Sequence, residues 1–467
     1  MFFSYGGNTA IRSMDVTQSL VIDSIMGSGK TTYIIDQLKK EKDRSKRFLI
    51  VTPYLKETDR FIGAVPNLCL KTPEGKDAQS KSKSKSKSKS KSKSKSKSKS
   101  KSKVELELER RFKSKELMKL IDEEQNIVIT HSLLNIMSTD TCNLLAAKGY
   151  DLISDETLEC VRQYGDKSKQ EHSSNDINRW IDSNYVSIGD DGYLKWKGSQ
   201  SVEYNSILYN LKRDCDNQRI TIKRRPAVET SKRPDQFFWE FPINHLRGFK
   251  SITVLTYMFD ASLMHAYFQS HGIDWEHLTL TNNHELVSWN HDIEASQALS
   301  IAKHLHVLVG DKVNDTGEER YSYSASGLRK MNIKQRAEIE RAVRNALQNY
   351  FGARSCTTMW SCIKDFRLNL APKGFKKAFV ACNVRATNEY RDRSHLAYLR
   401  NIYTRSPIFQ YFGAKGIKLD QDRYAVSELL QWVFRSAIRD EKEVHLYLPS
   451  KRMRTLLHEW SGGICKV

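Results

Sequence analysis

Short apolar runs alternate with helix-length amphipathic stretches along most of this chain. "SLVIDS" (19–24) reads as a buried strand, and "KTTYIIDQLKKEK" after it as a helix with Tyr33, Ile34, Ile35 and Leu38 on its apolar side. "RFLIVTPY", "NIVITHS" and "YDLISDET" read as three more strands. Strands that alternate with helices predict a parallel sheet covered on its faces. From about Leu158 to Lys250 the pattern changes to polar stretches and short strands, with Asp190-Asp191-Gly192 as a hairpin turn inside "YVSIGDDGYLKWKG". The parallel-sheet pattern returns at "SITVLTYMF" and "HVLVG". A long helix "NIKQRAEIERAVRNALQNYF" follows, then "KKAFVACN", a helix through "YAVSELLQWVFRSAIRD", a strand "VHLYLP" and a last helix "KRMRTLLHEWS". The expected fold is α/β, with two strand–helix lobes and an α+β insertion.

One stretch has no such pattern. Residues 80–103 alternate Lys and Ser without one apolar side chain, which predicts a disordered, solvated loop. A tolerated repeat in a surface loop accounts for it, and a basic arm touching nucleic acid is the sharper alternative. The tract also inflates the charge. The formal net charge is +21, but 12 of the lysines lie in this tract and +9 remains without them. That residue of positive charge suits a protein that handles nucleic acid and occurs in many that do not. The eight cysteines are scattered, with no C-x-x-C, and read as free thiols of a reducing compartment. The opening "MFFSYGGNTAIRSM" lacks the basic start and apolar core of a signal peptide. No apolar run approaches the roughly 18 residues of a membrane span, so no membrane partner and a cytoplasmic location are expected.

The candidate chemistry begins at "DSIMGSGKTT" (23–32). A phosphate loop needs backbone N–H groups that curl around anionic oxygens, a helix N-terminus behind them and a cation. Gly27 and Gly29 give the loop its freedom, and Ser28, Thr31 and Thr32 complete it. Lys30 is placed to reach the β/γ-phosphates of a nucleotide such as ATP, and Thr31 to sit on Mg²⁺. Ser24 stands where the usual pattern has its first glycine; a small residue at the exit from the strand is a mild departure. Downstream, "DLISDET" is a strand ending in two carboxylates. Asp155 can reach the metal, and Glu156 can act as general base on the attacking water. An exposed strand end explains an Asp-Glu pair equally well in isolation; the phosphate loop upstream favours the functional role.

"SELLQWVFRSAIRD" puts Gln431, Arg435 and Arg439 four residues apart on one predicted helix face, where an arginine can reach a transition-state phosphate. With the phosphate loop and the Asp-Glu pair, this set resembles the superfamily 2 helicases. Gly27-Ser28-Gly29-Lys30-Thr31 is similar to their motif I, and Asp155-Glu156 to motif II, with Leu158 in place of its final Asp or His. Gln431 and Arg435 fit motif VI; Phe434 replaces its glycine, and Arg439 falls one residue late. "VTPYLKETDRF" and "VITHSLL" look like strand-contact segments, with Thr52, Pro53, Thr130 and His131. "LTYMFDAS" partly fits motif III through Thr256. "CNVRATNEYRDRSHLAYLRN" occupies the motif V position, with Arg385, Thr387 and Asn388. The C-terminal run from about Trp360 to Trp460 looks like helicase-like proteins of bacteriophages and integrated elements.

The resemblance implies two tandem RecA-like lobes that close over ATP. Lobe 1 would span 1–158, the insertion 159–250, the end of lobe 1 and a linker 251–290, and lobe 2 291–467. Lys30, Glu156, Gln431 and either Arg435 or Arg439 would serve hydrolysis. It further implies binding of DNA, single-stranded or forked, with RNA as the alternative, replication or packaging proteins as partners, and host cytoplasm as the location if the chain is viral. The leading function is an ATP-driven helicase or translocase. A duplex-translocating motor subunit of a packaging or restriction machine is the second. A non-motor switch or kinase is the third, and it leaves the second lobe without use. The aromatics Tyr54, Trp360, Tyr390 and Trp432 are expected in the core more often than as base-stacking platforms.

Overall fold

The computed structural model describes residues 18–74, 103–165, 171–199, 202, 208–223, 235–382 and 389–465. The Lys-Ser tract up to 102, and the candidates Arg385, Thr387 and Asn388, lie outside the described residues. The first apolar runs form β1 (Gln18–Asp23), β2 (Arg47–Thr52), β3 (Ile127–Thr130) and β4 (Tyr150–Asp155). Short strands follow: β5 (Val161–Gln163), β6 (Val186–Ile188), β7 (Leu194–Trp196), β8 (Ile220–Lys223) and β9 (Gln236–Glu240). Then come β10 (Ser251–Thr256), β11 (Glu276–Leu280) and β12 (Leu286–Ser288). The last four are β13 (Leu305–Val307), β14 (Thr358–Cys362), β15 (His395–Leu399) and β16 (Val444–Tyr447). A seven-stranded sheet has the order β12-β11-β1-β10-β4-β2-β3, and a four-stranded one the order β13-β16-β15-β14. The fold is α/β, with largely parallel sheets covered by helices, the β11–β12 edge being antiparallel, consistent with two RecA-like lobes.

The chain divides into two compact units. The first comprises Met1–Leu20, Leu38–Ser154 and Tyr164–Val254. Here β2 is flanked by β3 and β4, parallel to both, with Thr52 opposite Thr130 and Val51 opposite Ser154. Leu49, Ile50 and Val51 are all wholly buried, which is why "FLIV" reads as a continuous apolar run rather than an alternating one. The polar stretch downstream holds the expected hairpin: β6 and β7 pair antiparallel, and Gly192 takes φ +75° in the turn between them. The helix Ser174–Asp182 starts from a capping box of Ser173 and Asp176.

The second unit comprises Val21–Gln37, Asp155–Gln163 and Leu255–Val467. Its four-stranded sheet is parallel throughout. Alternate residues of β15 feed two cores. Leu396 and Tyr398 pack with Trp432, Val433 and Leu457 on one face, and Ala397 and Leu399 pack with Ile339, Val343 and Trp360 on the other. Trp360 and Trp432 are thus core residues, as expected; their ring N–H groups donate to the Phe375 and Val380 carbonyls at 2.9 and 3.3 Å.

Two expectations need correction. β15 runs through "HLAYL", part of the segment given the motif V position above, and neither it nor β14 was anticipated as a strand. The helix expected to run through Asp440 ends at Val433. Ser436 adopts an extended backbone, φ −82° and ψ −170°, and its hydroxyl donates to the Val433 carbonyl at 2.6 Å. A separate 3₁₀ turn, Ala437–Asp440, follows. Gln431, Arg435 and Arg439 therefore do not share one helix face.

Candidate nucleotide site

The loop between β1 and the helix α1 (Lys30–Lys40) forms as the glycines predict. Gly27 and Gly29 take φ +86° and +89°, a region that L side chains rarely adopt. The Ser28 N–H donates to the Ile25 carbonyl at 3.2 Å, and α1 begins with the Tyr33 N–H donating to Gly29 at 2.8 Å. The amides of Lys30, Thr31 and Thr32 thus belong to the first helical turn, where no intrahelical acceptor exists. The Ser28 hydroxyl is buried and has no hydrogen-bond partner among the described residues.

Lys30 folds back over the loop, donating from Nζ to the Ser24 carbonyl at 2.5 Å and the Ile25 carbonyl at 3.0 Å. Burial pushes its pKa from 10.5 down to about 8, against the opposing pull of Asp23, Asp155 and Glu156; the positive charge of Arg439 adds to the depression. The Thr31 hydroxyl donates to Asp155 Oδ1 at 3.0 Å, across 124 residues of sequence. A hydroxyl and a carboxylate are oxygen donors of the kind that magnesium takes. Among the described residues no group of three or more His, Cys, Asp or Glu side chains could hold a metal ion. Glu156, next to Asp155, takes φ +86° and donates its N–H to the Leu255 carbonyl at 3.0 Å. A non-glycine residue there is strained by about 1–3 kcal/mol, and such strain clusters at functional sites. Leu158, which stands in place of a polar motif residue, is buried.

Ser24 has a role that the sequence did not reveal. Its hydroxyl is buried, accepts from the Leu280 N–H at 2.7 Å and lies 2.8 Å from the Thr279 hydroxyl. Gln297 clamps the same junction, accepting from the Ile25 N–H at 3.1 Å and donating to the Leu280 carbonyl at 2.8 Å. Asp23, the last residue of β1, accepts from the N–H groups of Met258 and Phe259, each at 2.8 Å, and lies 3.0 Å from His277 Nε2. These bonds hold the turn after β10, where Met258 takes φ +57°.

The two arginines separate. Arg435 is buried and donates to the Cys382 carbonyl at 3.2 Å. Arg439 is exposed on the 3₁₀ turn and is the one whose charge reaches Lys30. Its neighbour Asp440 is held by Arg391 Nε at 3.0 Å. Gln431 remains on its helix and donates to the Ser427 hydroxyl at 3.3 Å. In the other unit, Thr52, Pro53, Thr130 and His131 lie at the carboxyl ends of β2 and β3. Thr52 is wholly buried, with its hydroxyl donating to the Tyr54 carbonyl at 3.2 Å, so it offers nothing to a strand of nucleic acid. Pro53, Thr130 and His131 are half-buried, and Tyr54 is exposed. No helix among the described residues is long and apolar enough to cross a membrane.

Residues 299–461 match the family model described as the YonV C-terminal Rossmann-like domain, which agrees with the four-stranded parallel sheet. Over 447 residues the chain is 29% identical to the SPbeta prophage-derived uncharacterized protein YonV of Bacillus subtilis (strain 168), an alignment that covers 94% of this chain and 98% of that protein. Among solved structures, that of S. tokodaii Xpd4 aligns with 95% of this chain and 94% of its own at 13% identity, with a TM-score of 0.38. A likeness at that score supports nothing further.

Proposed function

We propose that this chain is an ATP-hydrolysing motor that acts on nucleic acid, with DNA as its substrate. The observation that carries the proposal is the hydrogen bond from Thr31 to Asp155 beside the inward-folded Lys30. It joins a phosphate loop to a strand-end carboxylate far away in the sequence. The buried, unpartnered Ser28 hydroxyl and the two positive-φ glycines fit a polyphosphate ligand as well. In this reading Thr31 and Asp155 would hold Mg²⁺, which would supply neutralising positive charge to the polyphosphate.

The chain's own groups do the rest. Lys30 turns its ammonium from the loop carbonyls to the phosphates. Glu156 accepts the proton of the attacking water, and its strained backbone fixes where that carboxylate stands. Arg439 neutralises the charge that develops on the transferred phosphoryl group, while buried Arg435 positions the turn that carries it. The basic surplus and the half-buried strand-end residues Pro53, Thr130 and His131 favour a polyanionic strand as the second ligand. Its binding would be sequence-tolerant and would weaken steeply with salt.

Phosphate release measured with and without single-stranded DNA, RNA and forked duplex tests the proposal. Stimulation by single-stranded DNA is expected, and strand displacement on the fork distinguishes a helicase from a translocase. No ATP hydrolysis with any polymer would remove the motor reading.

A further inference from the structure

The β11–β12 hairpin belongs to no motif used so far, yet its tip lies against the phosphate loop. The strands pair antiparallel, Leu280 opposite Leu286, and the turn is tied by Thr281 N–H to the Glu285 carbonyl at 2.9 Å and His284 N–H to the Thr281 carbonyl at 2.9 Å. The Thr281 hydroxyl accepts from the Glu285 N–H at 3.2 Å. Below the tip, β11 is stitched to the loop's exit by the Ser24 and Gln297 bonds described above. The tip is therefore pinned from two sides.

What it presents to the loop is an imidazole. A side chain built on Gly29 would place its Cβ 2.9 Å from His284 Cε1 and 3.1 Å from Nδ1. The ring occupies the space beside the glycine that precedes Lys30, where a nucleotide's phosphates are gripped. His284 is exposed and its ring forms no hydrogen bond to another described residue. It also takes φ +60°, a left-handed conformation that histidine adopts more readily than most side chains. A ring nitrogen that is unengaged, solvent-accessible and held at the rim of an anion site is a hydrogen-bond donor in waiting.

We propose that His284 is a phosphate-binding residue of the nucleotide site, donating from its imidazole to the polyphosphate and making the hairpin tip the third wall of the loop. The inference rests on the nucleotide reading of that loop. It also explains Gly29 doubly, since any side chain there would be strained by φ +89° and would strike the ring.

The test is a titration of the full chain at pH 7 with a fluorescent ATP analogue and with the matching monophosphate. His284→Ala should raise the Kd for the triphosphate about tenfold or more, the usual loss for a hydrogen bond to a charged group. The monophosphate should lose less. His284→Asn, which accepts the left-handed backbone and keeps a donor, should recover part of the affinity. Lys30→Ala serves as the control for the site itself. If Lys30→Ala abolishes binding while His284→Ala binds as well as wild type or tighter, the His284 inference is wrong and the site stands. If Lys30→Ala binds as wild type does, the site and the inference fall together.

Discussion

Restoring the missing glycine of the phosphate loop should damage this protein. Ser24→Gly brings "DSIMGSGKT" into line with the common pattern, yet the Ser24 hydroxyl holds two buried bonds, from the Leu280 N–H at 2.7 Å and to Thr279 at 2.8 Å. Leu280 is wholly buried and Thr279 nearly so. An N–H left unpaired in such a place costs about 1–3 kcal/mol, and the second bond adds about 0.5–1.5. The substitution should therefore destabilise the fold by about 2–4 kcal/mol, which lowers Tm by roughly 5–10 °C in a domain of this size. Ser24→Ala keeps the Cβ and isolates the hydroxyl. Paired with Thr279→Val in a double-mutant cycle, it should give a coupling of about 0.5–1.5 kcal/mol by urea unfolding. Since the same bonds anchor the loop's exit, nucleotide affinity should fall too. A Ser24→Gly variant as stable as wild type, with unchanged affinity, would refute the reasoning.

The remaining predictions concern the charged groups. Arg439→Ala should lower kcat by about a thousandfold or more while nucleotide Kd holds, as for an arginine finger; Arg435→Ala should instead lower Tm, because it empties a buried site and frees the Cys382 carbonyl. Glu156→Gln should bind nucleotide normally and turn over about 10²–10⁴ times more slowly, read by phosphate release. Lys30 has a pKa of about 8 in the nucleotide-free protein, so ATP affinity should hold below pH 8 and fall about tenfold per pH unit above it. The same shift has a stability sign. Between pH 8 and 10.5 the unfolded lysine keeps a proton that the folded one has lost, so this group's contribution to stability rises with pH across that window and is lowest below it.

The first strands, α1 and the Asp155-Glu156 pair were legible because each is a local pattern: an apolar run, a glycine loop, a helix, a polar strand end. β14 and β15 were not, because five-residue strands buried on both faces carry no alternation and look like any apolar patch. The break after Val433 hinged on one side chain, the Ser436 hydroxyl capturing a carbonyl, against a run of good helix formers. It moved Arg439 off the helix and out into solvent, and the sequence alone could not choose between the two arginines. Thr52 looked available at a strand end, but the chain turns over it and buries it. Ser24 was read as a bland replacement for glycine because its partners, Thr279 and Leu280, lie about 255 residues away. His284 left a faint trace: "TNNHE" between two alternating runs is a hairpin turn. Where that turn points is a tertiary fact.

The central claim is that Lys30, Thr31 and Asp155 grip a nucleotide for hydrolysis. It is tested most directly by steady-state ATP turnover of wild type and Lys30→Ala, with saturating single-stranded DNA, after matched melting curves establish that both are folded. The account predicts DNA-stimulated turnover in wild type and background rates in Lys30→Ala. Equal turnover by the two folded proteins would contradict it.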